Sequence, residues 1–150
     1  MRCERGATMI ELLCVLAIIF VLATVALPGY ANYLTKARRA EGQVALLEAL
    51  QQQERYFSEH NRFLAYSASE PAPTQTHFRW WSGSRAGASA YELQAQACAG
   101  LELTQCVELR ATPGTERVDA SFRDPDCGTL SLRSTGEHKA SGTNTQHCWP

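Results

Sequence analysis

Gly6-Ala7-Thr8-Met9-Ile10-Glu11 opens the stretch that decides the fold, with the apolar run from Leu12 to Leu27 directly behind it. No charged side chain follows Glu11 until Lys36. A helix of this length and composition is suited to a hydrocarbon core ~30 Å thick. Glu11 stands at the N-terminal end of the run, where a carboxylate in lipid needs a partner or a proton. It is therefore a functional candidate.

The residues ahead of the run do not fit an ordinary secretory signal peptide. In that class a small-residue cleavage site follows the apolar segment, which is then removed. Here a leader that contains two arginines ends at Gly6, before the apolar run begins. The arginines predict that the N-terminus stays in the cytoplasm, so the body of the chain is expected outside the inner membrane.

This arrangement resembles the class III leader and N-terminal helix of type IV prepilins. The resemblance implies that prepilin peptidase cuts between Gly6 and Ala7 and methylates the new amine of Ala7, although the family most often has phenylalanine at that position. It also makes Glu11 the fifth mature residue, which pairs with the freed amine of a neighbouring subunit during assembly. Such a pair is attractive in a low-dielectric environment. The alternative is a carboxylate that only reaches the lipid headgroups.

The helix is predicted to continue beyond the membrane. Apolar residues recur three and four apart, with charged and amide residues between them, which indicates an amphipathic face suited to packing on a sheet. This apolar set is Ala37, Ala40, Val44, Leu47 and Leu50. The helix is expected to run from Ala7 to Ser58, roughly 78 Å at ~1.5 Å per residue. Pro28, where pilins also carry a helix proline, is expected to kink it.

Four later segments alternate apolar and polar residues with period two, which is typical of antiparallel strands covered on one face. Their apolar members are Tyr91, Leu93, Ala95 and Ala97; Val107, Leu109 and Ala111; Val118, Ala120 and Phe122; and Leu130 and Leu132. The predicted fold class is α+β and pilin-like. A long N-terminal helix, transmembrane and then amphipathic, packs on a small antiparallel sheet that ends in a disulfide-bounded C-terminal loop.

The predicted organisation has five parts. They are the leader (1–6), the transmembrane and assembly half of the helix (7–34), its amphipathic half (35–58), a connecting region (59–90), and the sheet with the C-terminal loop (91–150). A chain of 150 residues and 16.6 kDa is long enough for a membrane anchor and one modest domain.

Four of the six cysteines lie from residue 98 onward and predict two disulfides in an oxidising compartment. They are Cys98, Cys106, Cys127 and Cys148. Three pairings are open to four cysteines, and spacing does not choose among them. Cys127-Gly128-Thr129-Leu130-Ser131-Leu132 and the terminal Cys148-Trp149 resemble the tail of many minor pilins, which implies a bridge between Cys127 and Cys148. A zinc site that uses His138, His147 and cysteines is the alternative, although no C-x-x-C pair is present.

A dense aromatic and basic patch lies at residues 77–81, with a further arginine nearby. Aromatic faces stack on bases and arginines contact phosphate, so this patch is a candidate DNA contact. The candidates are Arg79, Trp80, Trp81 and Arg85. The alternative is that Phe78 and the tryptophans fill the gap between helix and sheet. A net charge of -1 and a pI of about 6.4 do not indicate a nucleic-acid binder.

The predicted function is that of a structural subunit, a minor pilin, of a type IV pilus or fimbrium. Such a subunit supports pilus assembly, twitching motility, cell adhesion or DNA uptake. The alternatives are a DNA-uptake receptor of a competence pilus and a pseudopilin of a type II secretion system. The sequence has no H-E-x-x-H motif or glycine-rich phosphate loop, so no enzyme activity, metal or cofactor is predicted.

The expected partners follow from the same resemblance. They are other pilin subunits, the prepilin peptidase and methyltransferase, the inner-membrane assembly platform and the membrane itself, with DNA or a surface as further candidates. The precursor is expected in the bacterial inner membrane as a single-pass protein with its head in the periplasm. The mature chain is then expected in the extracellular pilus.

Overall fold

The computed structural model describes residues 8–69 and 78–150, and for residues 25–28 it describes the backbone alone. The chain divides into two compact units, Met1–Lys36 and Ala37–Pro150. A long helix, α1 (Met9–His60), is followed by the strands β1 (Tyr91–Ala97), β2 (Val107–Pro113), β3 (Leu130–Arg133) and β4 (His138–Ala140). Short 3-10 turns occur at Ala86–Ala88 and Thr145–His147. The predicted leader, Gly6 and Ala7 lie outside the described residues, as does His77.

Helix α1 begins with a capped turn. The Thr8 hydroxyl accepts the N–H of Glu11 at 3.3 Å, and the Thr8 carbonyl accepts the N–H of Leu12 at 3.2 Å. Thr-x-x-Glu is the capping-box pattern, in which the hydroxyl satisfies an amide that has no partner within the helix. Glu11 thus occupies the third helical position, where its negative charge also interacts favourably with the positive end of the helix dipole.

No single helix among the described residues is long and apolar enough to cross a membrane. The parts Met9–Thr24 and Gly29–His60 reach the required length and apolar composition only when they are taken together. The predicted kink at Pro28 falls between them, among the four residues whose side chains are not described, and it stays a prediction.

The end of α1 reverses the chain toward the sheet. Asn61 has a positive φ of 54° and donates its N–H to the Phe57 carbonyl at 2.8 Å, which is a helix stop that asparagine tolerates. The Gln53 side chain then pairs with the backbone of Leu64, donating at 2.6 Å and accepting at 2.9 Å. The helix therefore ends two residues after the predicted Ser58.

The four strands form one antiparallel sheet in the order β1-β2-β3-β4. Leu93 opposes Ala111, and Leu109 opposes both Ala95 and Leu132, so the apolar members of the first three strands share one face. These side chains are buried against α1, as the period-two pattern predicted for β1, β2 and β3.

The prediction of a strand at Val118–Phe122 is wrong. The segment is a series of turns in which Phe122 donates its N–H to the Asp119 carbonyl at 3.0 Å. Ser121 donates both its N–H and its hydroxyl to the Asp119 carboxylate. Because these local bonds satisfy polar groups within the segment, it does not need a strand partner. The fourth strand is His138–Ala140 instead, which is too short for its alternation to be read.

The predicted apolar face of the helix is also wrong within the unit Ala37–Pro150, except at Leu50, which packs against the core. Val44 and Leu47 are 53% and 50% exposed. The buried face carries Arg39, Gly42, Ala45, Leu46, Ala49 and Gln53. Small residues allow a close approach here, since a Cβ added at Gly42 would lie 2.9 Å from the ring of Tyr91. The spacing of apolar residues predicted the opposite side of the helix, because the buried face includes two polar residues, Arg39 and Gln53.

Both edges of the sheet are protected. Outside β1, Tyr66 exchanges two backbone hydrogen bonds with Ala95, and the Trp80 carbonyl accepts the N–H of Leu93 at 2.7 Å. At the other edge, β4 has three residues and carries the charged Lys139. Short strands and lysine are devices that discourage another chain from adding to a sheet edge.

Candidate functional site

The structure joins Cys98 to Cys106 and Cys127 to Cys148. Of the three pairings open to four cysteines, this one joins neighbours in sequence. The alternative zinc site loses its thiolates, and no group of histidine, cysteine and acidic residues within 8–69 and 78–150 is arranged to hold a metal. Among the described cysteines, Cys14 is unpaired and exposed.

A buried carboxylate joins the helix, the sheet and the start of the C-terminal disulfide loop. Asp124 accepts the Nε and Nη2 of Arg39 at 2.8 and 2.7 Å and the Tyr91 hydroxyl at 2.6 Å. It also accepts the backbone N–H of Cys127 at 3.2 Å. Burial alone would raise the pKa of Asp124, but these hydrogen bonds outweigh it and hold the pKa below its usual value. Burial, reinforced by the bond to Asp124, raises the pKa of Tyr91, so the phenol remains a donor.

The far end of the disulfide loop also contacts the helix. Gln43 donates its side-chain N–H to the Cys148 carbonyl at 2.5 Å. The next residue, Trp149, donates its indole N–H to the Lys139 carbonyl in β4 at 3.1 Å, and its ring lies 5.2 Å from that of His138. A polar cleft opens between β4 and the 3-10 turn at Thr145–His147, which we call the C-terminal turn. It is lined by His138, Lys139, Ala140, Thr145, Gln146, Trp149 and Pro150.

The aromatic and basic patch predicted near residue 80 is divided between the core and the surface. Phe78 is buried and stacks on Tyr66 with ring centres 5.0 Å apart. Arg79 pairs with Glu48 at 3.2 Å. Trp80 packs against the core, and the indole nitrogen of Trp81 is buried with no hydrogen-bond partner among the described residues. Arg85 is exposed. Phe78 and Trp80 thus pack with the core, in line with the alternative interpretation, whereas Trp81 is not part of that core cluster.

A different set of polar residues crosses the solvent-facing side of the sheet. Opposed residues on successive strands are Gln94, Arg110, Ser131 and Lys139, which we call the basic row. At ~4.8 Å between strands, the row extends about 14 Å from β1 to β4. It contains two cations, an amide and a hydroxyl, and no carboxylate. Arg110 forms no ion pair with any residue that the structure describes.

Glu108 and Glu137 lie along one side of the basic row, and Glu92 lies on the other side. Glu137 pairs with Lys139 at 2.8 Å and with Arg133, and Arg133 also pairs with Glu108 at 3.0 Å. The hydrogen bond from Lys139, with the positive charge of Arg133, holds the pKa of Glu137 below its usual value, so Glu137 remains ionised. Exposed pairs of this kind contribute little to stability, which leaves Lys139 free to exchange partners.

Sequence reasoning missed the basic row, because the row exists only through strand register. Alternation placed Arg110 and Ser131 on the polar side of their strands, but it did not show which residues stand opposite each other. The short β4 was not predicted, so Lys139 had no position. For Glu11, in contrast, the Thr-x-x-Glu capping pattern was present in the sequence and would have identified its place in the helix.

The long N-terminal helix, the antiparallel sheet packed on it and the disulfide-closed C-terminal loop define a type IV pilin. A family model described as type IV minor pilin ComP, DNA uptake sequence receptor, matches residues 28–131, and the prokaryotic N-terminal methylation motif matches residues 1–27. The chain belongs to the ComP family of type IV minor pilins. The pilin resemblance is confirmed, and the family is one of structural subunits rather than enzymes.

Two curated relatives match part of the chain. The type IV major pilin protein PilA of Myxococcus xanthus is 35% identical over 60 residues, which is 40% of this chain and 27% of that protein. The type IV major alpha-pilin of Moraxella bovis is 45% identical over 47 residues, which is 30% of each chain. The chain thus matches less than a third of the length of either relative.

Two solved pilins are also similar to the chain. A type IV pilin from Shewanella oneidensis has 25% identity and a TM-score of 0.46, with 77% of this chain and 98% of that chain covered. The non-core minor pilin PilV of Neisseria meningitidis has 19% identity and a TM-score of 0.49, with 77% and 94% covered.

Proposed function

We propose that this minor pilin binds DNA during DNA uptake and that the basic row is its contact surface. The family description names a DNA uptake sequence receptor, which supports the choice of DNA over the other roles predicted for a pilin. The observation that carries the proposal is the pair of cations, Arg110 and Lys139, with Ser131 between them in a row that holds no carboxylate. Twitching motility and adhesion stay predictions.

The geometry of the row suits a phosphodiester backbone. A length of about 14 Å corresponds to roughly four nucleotides at ~3.4 Å per nucleotide along one strand. Arginine and lysine contact phosphate, while Gln94 and Ser131 offer additional hydrogen bonds. With two cations engaged, the logarithm of the affinity should fall with the logarithm of salt concentration with a slope of about -2. Binding should therefore be weak and sensitive to salt.

The binding experiment uses the full-length chain in detergent micelles and a fluorescent DNA duplex at about 50 mM salt, where phosphate contacts are strong. Arg110→Gln and Lys139→Gln should each weaken binding several-fold and lower the salt slope by about one. Glu137→Gln should strengthen binding, because it removes a negative charge that competes for Lys139. Arg55→Gln is the control, since Arg55 is an exposed helix arginine outside the row.

The earlier candidate surface is tested in the same experiment. If Arg79→Gln or Arg85→Gln weakens binding while Arg110→Gln does not, the DNA surface lies at the aromatic patch and the basic row is excluded. If the wild-type chain does not bind at low salt, the DNA proposal fails as a whole.

We also infer that the chain is cut after Gly6 and enters the pilus through its N-terminal helix, beside other pilin subunits. Large apolar side chains from Met9 to Leu22 are at least half exposed, so they require lipid or neighbouring helices as cover. Intact mass of the chain from sheared pili should show N-methylated Ala7 as the first residue and two intact disulfides. Recovery of the uncut chain, or of cut chain confined to the membrane, would contradict this inference.

A further inference from the structure

Two side chains one helical turn apart bind opposite ends of the segment that the Cys127–Cys148 disulfide closes, which we call the disulfide-closed segment. Arg39 makes two hydrogen bonds to Asp124, which lies three residues before Cys127. Gln43 donates to the carbonyl of Cys148, the residue that closes the loop. Residues four apart lie on the same face of a helix, so a single turn of α1 holds both ends of the segment that contains β3 and β4.

The contact at Asp124 is held by several hydrogen bonds in a buried position. The Asp124 side chain is fully buried, and its carboxylate accepts four hydrogen bonds from three residues. Tyr91, one of the donors, packs against Gly42 so closely that no side chain fits between them. Loss of a partner here would leave an uncompensated buried charge, so this end of the segment is part of the folded core.

Among the described residues, the helix reaches the Cys148 carbonyl through one hydrogen bond, and this bond leads to the surface although the Cys148 side chain is itself buried. Gln43 holds the Cys148 carbonyl at 2.5 Å, and the following Trp149 donates to the Lys139 carbonyl at 3.1 Å. Lys139 is the last member of the basic row. A short path of contacts therefore runs from the helix through Cys148 and Trp149 to one of the two cations of the row.

We propose that Gln43 is a positioning residue that fixes Lys139 in the basic row by holding Cys148 and Trp149. The proposal rests on the proposed DNA-binding function. Without the Gln43 donor, the disulfide still closes the loop, but the C-terminal turn loses its bond to the helix. Trp149 is then held less firmly, and Lys139, which remains paired with Ser131 on one side, is held less firmly on the other.

The first measurement needs no DNA. The full-length chain in detergent micelles is labelled at its tryptophans, and Trp149→Phe identifies the Trp149 indole signal in nuclear magnetic resonance spectra. Gln43→Met keeps the length of the side chain but removes the donor. It should speed hydrogen exchange of the Trp149 indole N–H at least tenfold, with the Cys127–Cys148 disulfide intact. Gln51→Met, at an exposed helix glutamine, is the matched control. Unchanged exchange in Gln43→Met would overturn the proposal.

The second measurement is a double-mutant cycle on DNA binding. Gln43→Met should weaken binding about threefold to tenfold and lower the salt slope by nearly one, as Lys139→Gln does. The double variant should bind no more weakly than Lys139→Gln alone, because two changes that act through the same contact are not additive. Additive losses would overturn the path through Lys139. Failure of the wild type to bind overturns the proposed function, while the indole measurement still decides the positioning.

Discussion

At the level of single residues, the stability of the unit Ala37–Pro150 depends on Asp124, whose side chain has no exposed surface. Asp124→Asn removes the charge that Arg39 pairs with and should lower the free energy of unfolding at pH 7 by about 3–5 kcal/mol. Urea unfolding of the full-length chain in detergent measures this loss. Asp126→Asn is the control. The Asp126 side chain is 62% exposed, and its carboxylate lies 3.9 Å from the same arginine, which is a longer and weaker contact than that of Asp124.

The same carboxylate predicts a loss of stability in acid. The pKa of Asp124 is lower in the folded chain than its ordinary value of about 3.9, so its contribution is fully present above that value. The contribution is lost as the pH falls through the folded pKa. The difference between wild type and Asp124→Asn should therefore shrink below about pH 4. An equal difference at pH 7 and at pH 2 would contradict the assignment.

Glu11 supports a second prediction at this scale. Glu11→Ala should be inserted and cut normally but poorly incorporated into pili, since the carboxylate that we propose as the partner of the mature N-terminal amine is lost. Thr8→Ala is the control, because it removes the helix cap and keeps the carboxylate. Immunoblots of sheared pili and of membranes measure the distribution of each variant. Normal incorporation of Glu11→Ala would show that the carboxylate serves only to begin the helix.

At the level of elements, helix α1 presents two faces with different expected roles. Leu46 is fully buried against the sheet, so Leu46→Ala should lower the free energy of unfolding by about 2–5 kcal/mol. Val44 and Leu47 are half exposed, so Val44→Gln and Leu47→Gln should change it by at most about 0.5 kcal/mol. We expect these two variants to reduce incorporation into pili instead, as measured in sheared fractions. Full incorporation would show that this face makes no subunit contact.

The helix also shows what the sequence can and cannot predict. Its existence and end followed from composition, because alanine, leucine, glutamine and glutamate dominate residues 40–54. Its buried face did not follow, because that face is held by Arg39 and Gln53, whose partners Asp124 and Leu64 lie far along the chain or after a turn. Hydrophobic spacing cannot detect a face that is buried through hydrogen bonds.

At the level of the whole molecule, the two disulfides should differ in their effect on stability. The cysteines are 21 residues apart in Cys127–Cys148 and 8 apart in Cys98–Cys106. The chain-entropy model predicts about 3.4 kcal/mol for the longer loop and about 2.6 kcal/mol for the shorter one. Unfolding by urea of the serine double variants tests this order. A larger loss for the shorter loop would show that contacts, rather than loop closure, set the values.

The fold as a whole could be predicted further than its site. The leader, the long helix and three of the strands follow from local patterns, and a fourth segment with the same alternation, Val118–Phe122, is held by its own turns instead. The basic row could not be predicted, because Arg110 and Lys139 are 29 positions apart and meet only through the register of β2, β3 and β4. Local periodicity predicts elements, whereas a surface built across strands requires their pairing.

The protected edges of the sheet bear on how the subunit is stored. If the precursor accumulates in a membrane, as the pilin resemblance implies, many identical sheets come close together, and open strand edges would let them fuse into cross-β aggregates. Tyr66 and Trp80 occupy the edge of β1, while β4 is short and charged. This geometry discourages irreversible fusion of the heads at high density, while the exposed side of the helix is the surface that we propose for contact with other subunits.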